Sequence, residues 1–324
     1  MNTNGYEFEK PLLELEKRIQ DLLTYSEKQG IDLSAEIGEL KHQFERQARR
    51  IYADLSPWKR VLVARHPDRP GTADYVKMIF DDFVELHGDR QFRDDAAMMC
   101  GLGTLGGERL MLIGHRKGHT TKERQRCNWG CAHPEGYRKA MLKMRLAEKL
   151  GLPIVTFVDT PGAYPGIGAE ERGIAQAIAE NMHGMSQMRV PILCVVIGEG
   201  SSGGALGIGL ADRICMLEHA YYSVIGPEGC AAILFRTRDK REDAALALKL
   251  TSYDVRSMGI ADEIVPEPVG GAHRDHREMG VRVKEAVLRN IKQLKEIPTE
   301  ELLEKRYTRY RAIGRLLEGQ PARG

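Results

Sequence analysis

Two stretches of the chain are apolar nearly without interruption: "PIVTFV" (153–158) and "PILCVVI" (191–197). Neither alternates with polar residues, so each reads as a strand buried on both faces. Each leads through a glycine-rich exit into a segment of helical character, "AEERGIAQAIAENMHGMSQM" (169–188) and the short "GGALGIGLADR" (203–213). Upstream, "AMMCGLGTL" (97–105) and "RLMLIG" (109–114) flank "GGE", which suits a hairpin turn. A helix is expected from Pro134 to Leu150, with Ala140, Met141, Met144 and Ala147 on one face. Another is expected after the Pro/Gly-punctuated link 65–76, with Val76, Ile79, Phe80 and Phe83 on one side. Farther on, "RICML" (213–217) and "YSVI" (222–225) read as short strands, 244–259 as one helix, and 261–275 as the end of the body.

The flanks are different. Leu12, Leu15, Ile19 and Leu22, then Ile37, Leu40, Phe44, Ala48 and Ile51, recur at three-and-four spacing, which predicts an antiparallel helical hairpin over 8–51. The last fifty residues are helical and highly charged. The expected organisation is an N-terminal helical segment 1–64, an α/β core 65–270 and a C-terminal helical segment 271–324.

Composition narrows the class. The apolar runs are too short to span a bilayer, and the polar, acidic N-terminus has no signal pattern, so a soluble cytoplasmic protein is expected. Six cysteines are too sparse for a disulfide scaffold. Cys100, Cys194, Cys215 and Cys230 read as small core residues. Cys127, Cys131 and His133 lie close together, but no second Cys/His pair follows, and no metal is assigned. A formal net charge of +2 does not call for nucleic acid. Basic residues nevertheless cluster in "HRKGHTTKERQR" (115–126), at a strand exit. That cluster is either a solvated face or a landing site for a phosphate-rich ligand or an acidic partner.

Two loops offer candidate chemistry. Gly198-x-Gly200-x-x-Gly203, with Glu218 beyond it, has the spacing of a dinucleotide fingerprint. It sits two-thirds along the chain, however, and opens a short, glycine-rich helix, which argues against a Rossmann unit. Asp159-Thr-Pro-Gly162 resembles the D-x-x-G element of GTPases, but the chain has no phosphate loop upstream. What remains is two strand-to-helix turns, Gly162-Ala163 and Gly203-Gly204-Ala205. Such turns can aim backbone N–H groups at one oxygen, as an oxyanion hole does. The alternative is that these glycines only permit tight crossings of buried strands.

"GHRKGHTTKE", "HPEGYRKA", "FVDTPGAYPGIGAEERG", "GEGSSGGALGIG", "YSVIGPEGC" and "IVPEPVGGAHR" occur in this order. Together they resemble the carboxyltransferase alpha-subunit family of bacterial-type multisubunit acetyl-CoA carboxylases. The resemblance extends to "FEKPLLELEKRI" and "ARHPDRP". It implies an α/β crotonase-like fold, a spiral of β-β-α units with helices outside. It also implies an α2β2 assembly with a zinc-ribbon-bearing beta subunit, served by biotin carboxylase and the biotin carboxyl carrier protein. The implied reaction moves the carboxyl group of carboxybiotin to acetyl-CoA, giving malonyl-CoA for fatty-acid synthesis.

By the family pattern, Gly203 and Gly204 supply the hole for the biotin ureido oxygen. Ala205, Gly162 and Ala163 are added as neighbours on physical grounds. Lys117, Arg116 and Lys122 are candidates for CoA phosphates or for the beta subunit. The biotin nitrogen can act as base, so no side-chain nucleophile is required. Glu199 is therefore expected to be a loop or interface carboxylate, and Glu228 to serve a turn or helix start. His115, His119, His133 and His183 are expected to be structural or surface residues. A Gly204→Val exchange is expected to abolish transfer and leave assembly intact. The competing functions are a stand-alone acyl-CoA hydratase or isomerase, the carboxyltransferase subunit of a biotin-dependent decarboxylase, and a nucleic-acid-binding scaffold.

Overall fold

The computed structural model describes residues 6–314, so residues 1–5 and 315–324 of the expected terminal segments lie outside it. The N-terminal hairpin forms as α1 (Lys10–Gln29) and α2 (Ser34–Ala53). Gly30 ends α1 at φ +64, the left-handed C-cap that glycine adopts without strain. Leu12, Ala48 and Tyr52 bury together with Leu55 and Val63. Next comes α3 (Pro57–Ala64), with Pro57 in its first turn and the Ser56 hydroxyl accepting the Lys59 N–H at 3.3 Å. Trp58, Val61 and Ala64 of α3 pack on Tyr221, Ala245 and Leu250 of the core.

The helix expected through Phe83 stops early, as α4 (Thr72–Ile79). Phe80 turns extended, and Phe83 belongs to a strand, β1 (Asp82–Glu85). The cause lies in the next strand, β2 (Met98–Leu105). A Cβ at Gly101 would fall 2.3 Å from the Phe83 ring, and one at Gly103 would fall 2.6 Å from the Phe80 ring. The glycines leave seats for both rings, and tertiary packing overrides the helical spacing. β2 returns as β3 (Glu108–His115) through Gly106-Gly107, at φ +57 and +85, the two positive values that a tight two-residue hairpin needs.

A short helix not evident from the pattern, α5 (Thr121–Arg126), follows with a Thr120/Glu123 capping box. The chain then runs through α6 (Pro134–Lys149), β4 (Ile154–Thr160), α7 (Ile167–Glu171) and α8 (Ile174–Gln187), with Gly173 at φ +78 separating the last two. β5 (Ile192–Ser201), α9 (Ser202–Gly209), β6 (Arg213–Leu217) and β7 (Tyr221–Ser223) form the next unit. "YSVI" is thus a strand only through Ser223. After α10 (Pro227–Phe235), the single helix expected over 244–259 is two, α11 (Arg241–Leu248) and α12 (Ser252–Ser257). Lys249 lies at φ +50 between them, because the Leu250 carbonyl accepts the Tyr222 N–H at 2.9 Å and Thr251 bridges Tyr221. β8 (Glu263–Val265), α13 (His276–Lys295) and α14 (Thr299–Arg311) complete the chain.

The strands form one sheet in the order β1-β2-β3-β4-β5-β6-β8, antiparallel at the β1-β2-β3 end and parallel from β3 onward. β5 is shared: it pairs with β6 over Leu193–Val196 and with β7 over Glu199–Ser201. Every position of β4 and β5 is buried, as their unbroken apolar runs predict. Among the described residues no helix is long and apolar enough to cross a membrane.

Candidate active site

The site grows from the C-terminal ends of β4 and β5. Their register shifts there: Val158 faces Val196, whereas Thr160 faces Gly200. Such a bulge re-aims side chains. Here the Asp159 carboxylate accepts the Glu199 N–H at 3.0 Å. A Cβ at Gly198 would lie 2.5 Å from the same Asp159 oxygen, so glycine is required to seat this carboxylate.

Beyond Thr160 the chain turns at Gly162, φ +148, a conformation left to glycine. Thr160 locks the turn from both sides, its hydroxyl donating to the Gly162 carbonyl at 2.8 Å and its oxygen accepting the Gly162 N–H at 3.0 Å. The Gly162 amide is therefore committed. The neighbouring Ala163 amide has no acceptor among the described residues.

Beyond Ser201 the chain turns sharply into α9, with Ser202 at φ +57. The first-turn amides of a helix have no partner within it. A Cβ on Gly204 would sit 2.5 Å from both Ala163 N and Gly162 C. The two turns thus meet backbone to backbone. Gly207 lies against the Tyr137 ring, where a Cβ would be 2.5 Å away. Asn181 pins the helix by donating to the carbonyls of Gly207 and Tyr137 at 3.0 and 2.9 Å. None of these three glycines has a positive φ, and Gly203 differs from the other two in its surroundings: a Cβ there would meet only Ile178 Cδ1, at an ordinary 3.5 Å. Ala205 is buried behind the turn.

The structure therefore unites Gly162, Ala163, Gly203, Gly204 and Ala205. It also corrects one expectation. Gly204→Val cannot leave the molecule undisturbed, because its side chain would collide with backbone atoms of the Gly162–Ala163 turn.

Beside the turns lies a partly buried charge network centred on Glu199. Lys117 Nζ stands 2.7 Å from Asp159 Oδ1 and 2.5 Å from Glu199 Oε2. Arg65 Nε reaches Glu199 Oε1 at 2.5 Å, its Nη1 reaches Glu228 at 2.5 Å, and its Nη2 donates to the Tyr221 hydroxyl at 3.0 Å. Tyr221 in turn donates to Glu199 at 2.7 Å. Burial pushes the Glu199 carboxyl up, but Lys117 and Arg65 outweigh it and hold it at about 2. Glu199 is thus a fixed anion near neutral pH and a poor proton shuttle. Burial disfavours the Lys117 ammonium, and Asp159 and Glu199 more than restore it. Glu228 does open a helix, and it also pairs with Arg65. Arg116 is paired with Glu85 at 2.7 Å, and Lys122 is exposed.

Among the histidines, His115 is fully buried, and burial with the nearby Lys117 lowers it to about 3. His119 pairs with Asp74 at 2.6 Å, the His133 ring lies tilted at 44° against Tyr164, and His183 is exposed. A cavity of about 640 Å³ opens over this network, lined by Arg65, Lys117, Asp159, Glu199, Arg126 and Trp129 among others. The glycine turns themselves do not line it.

Cys127, Cys131 and His133 do not converge. Among the described residues, the side chains near enough to share a metal ion are Glu9, His66 and His273. That trio does not suit a cation. Tyr52, His273 and Arg274 all donate to Glu9 Oε1, His66 Nδ1 accepts the Asp68 N–H at 3.2 Å, and the Arg274 guanidinium lies 3.2 Å from Glu9.

Sequence reasoning misses Arg65, Asp159 and Tyr221. The available signals are a charged residue at the end of each fully buried strand and the arginines of "ARHPDRP". It also misses that Gly200-Ser-Ser202-Gly-Gly204 has the G-x-S-x-G spacing of a nucleophile elbow, on a strand–turn–helix with Ser202 at positive φ. Among the described residues no hydrogen bond links Ser202 to a histidine or a carboxylate, so the elbow lacks the base that would activate a serine.

Comparisons with known proteins identify the family. The family profile described as acetyl co-enzyme A carboxylase carboxyltransferase-like matches residues 5–314. The chain belongs to this family. The acetyl-coenzyme A carboxylase carboxyl transferase subunit alpha of Rhodopirellula baltica is 51% identical over 314 residues, covering 97% of this chain and 98% of its own. That of Geobacter metallireducens is 52% identical over 312 residues, covering 96% and 98%. The carboxyltransferase chain is thus an enzyme subunit of the acetyl-CoA carboxylase alpha type, a reading favoured over a stand-alone hydratase or isomerase.

Among solved structures, a transcarboxylase 12S chain aligns with TM-score 0.54 at 20% identity, over 67% of this chain and 41% of that one. A Pseudomonas malonate decarboxylase hetero-tetramer in complex with coenzyme A aligns with TM-score 0.53 at 19% identity, over 66% and 85%. These likenesses establish the fold, and it is the crotonase-like one expected.

Proposed function

We propose that this chain supplies the carboxybiotin half of a carboxyltransferase active site, completed by a beta subunit that brings acetyl-CoA. Gly203 carries the proposal. Neither backbone conformation nor packing requires glycine there, and glycine costs about 1 kcal/mol in a helix relative to alanine. Leaving that position bare keeps the mouth of the α9 amides open to a ligand. The acceptor-less Ala163 amide beside it offers a second donor from the other turn. These groups fit a planar ureido oxygen: they are neutral, rigid and without bulk.

In this reading carboxylated biotin, when bound, supplies the carboxyl group and a basic nitrogen. The chain's own part is to donate backbone hydrogen bonds where negative charge develops, which a preorganised site does without reorganising. The α9 dipole adds to this at its N-terminus. Gly203, Gly204 and Ala163 hold the oxygen, Ala205 backs them, and Gly162 shapes the turn. Arg116 and Lys117, already satisfied by internal carboxylates, serve the frame of the site. The chain works in an α2β2 assembly in the cytoplasm, with biotin delivered by the carboxyl carrier protein and carboxylated by biotin carboxylase. The described parts of the 1–64 and 271–324 segments, residues 6–64 and 271–314, act as helical flanks to the 65–270 core.

The test is carboxyl transfer from malonyl-CoA to free biotin by this chain mixed with its beta partner. Gly203→Val should remove that activity and leave the complex assembled. An unchanged rate with Gly203→Val overturns the assignment.

A further inference from the structure

We infer that Lys117 is a positioning residue, whose ammonium ties the end of β4 to the end of β5 and so fixes the separation of the two donor turns. This rests on the assignment of those turns to the biotin oxygen. The tie is direct: Lys117 Nζ contacts Asp159 at 2.7 Å and Glu199 at 2.5 Å, and those two residues are joined by the Glu199 N–H to Asp159 bond at 3.0 Å. The Ala163 amide is four residues from Asp159, and the α9 amides begin three residues from Glu199. Between the strands the register has slipped, so ordinary ladder pairing does not set their spacing at this point.

The "CNWGC" segment, to which the proposed reaction assigns no chemical role, has a place in the same device. Asn128, Trp129 and Gly130 are successively left-handed, at φ +45, +53 and +84. This costly run presses Gly130 onto the clamp: a Cβ there would lie 2.8 Å from the Asp159 carbonyl and 2.9 Å from Lys117 Cγ. Cys131 follows, and burial with Glu199 nearby raises its thiol to about 11, keeping it protonated. The turn is thus a cover that holds the lysine stem against the strand ends. With two carboxylates on its ammonium, the lysine has little left to offer a phosphate, even where its side chain borders the cavity.

The experiment uses the assembled complex of this chain with its beta partner, comparing Lys117→Met, Lys117→Arg and the charge-balanced pair Lys117→Met/Glu199→Gln. Each is assayed with acetyl-CoA and 3′-dephospho-acetyl-CoA, and assembly is checked by size-exclusion chromatography. The methionine variant and the charge-balanced pair should lose about 10²-fold in kcat, the cost of misplacing catalytic groups by about an ångström, with KM for either thioester unchanged. The arginine variant should recover part of the rate.

Lys117→Met should also acquire an acid limb in its pH–rate profile. Among the described residues Glu199 would then keep Arg65, itself shared with Glu228, as its paired cation, beside Tyr6, Tyr221, Cys131 and the carboxylate of Asp159, and its proton affinity would rise. A raised KM confined to acetyl-CoA, with kcat intact, would make Lys117 a phosphate ligand and overturn the inference. Full activity of the charge-balanced pair would overturn it as well. Gly203→Val, run alongside, separates the two readings. If it stays active, the turn assignment fails and the clamp has nothing to position; if it is dead while both Lys117 variants are normal, only the clamp fails.

Discussion

The sharpest consequence of the site geometry is that two adjacent glycines should respond differently to substitution. At Gly203 a new Cβ meets only the flexible end of Ile178 at 3.5 Å, and φ lies in the range any residue adopts. Gly203→Val should therefore change folding stability by no more than about 1 kcal/mol, the scale of a helix-propensity change. At Gly204 the Cβ falls 2.5 Å from backbone atoms of the Gly162–Ala163 turn. Gly204→Ala must displace that turn, an overpacking cost of about 1–3 kcal/mol. Gly203→Val keeps its own N–H but covers the mouth of the hole, and denying the oxygen one donor costs about 10²–10³ in rate, or roughly 2.7–4 kcal/mol. Thermal melting and carboxyl transfer, measured together, separate the cases: Gly203→Val should melt normally and be inactive, whereas Gly204→Ala should lose both. A Gly203→Val complex with normal turnover, or a Gly204→Ala chain of undiminished stability, refutes the reasoning.

Further outcomes follow from the buried polar contacts. Asn181→Ala removes the bonds that hold the carbonyls of Tyr137 and Gly207, and should cost about 1–3 kcal/mol in a urea titration and slow transfer by loosening α9. Arg306→Met takes the cation from the buried Asp212, which Arg306 grips through two 2.7 Å bonds, and leaves that carboxylate the Ile192 N–H. It should cost about 3–5 kcal/mol and release α14 to proteolysis. Burial raises Glu199 and Glu267, but their cationic neighbours, Lys117 and Arg65 for the first and Arg69 for the second, hold both at about 2. Their folded-state values are depressed, so the stabilisation is complete above the ordinary value of 4.5 and disappears as pH falls toward 2. Each should contribute on the order of 3 kcal/mol, read as a fall in melting temperature confined to that window and shrunken in Glu199→Gln.

The parts of this molecule that announce themselves in sequence are those whose cause is local. β4 and β5 are unbroken apolar runs because both faces are covered, and the glycine exits follow directly from them. The β2–β3 hairpin rests on its own Gly106-Gly107 pair. Other features depend on partners far away in the chain. Phe83 leaves its helix because glycines eighteen and twenty residues later open seats for the rings of Phe83 and Phe80. The helix expected over 244–259 breaks because Leu250 pairs with Tyr222. Arg65 and Glu199 meet across 134 positions, so nothing in the neighbourhood of either marks the pair. The donor turns were legible as bare backbone, but which amides are free was not, since the Thr160 hydroxyl takes the one on Gly162.

The most direct test of the account is malonyl-CoA-dependent carboxylation of free biotin, measured for this chain alone, its beta partner alone and the two mixed. Activity that arises only on mixing, and vanishes with Gly203→Val in a complex that still assembles, is the predicted result. Hydration of an enoyl-CoA by this chain alone, or undiminished transfer by the Gly203→Val complex, would contradict it.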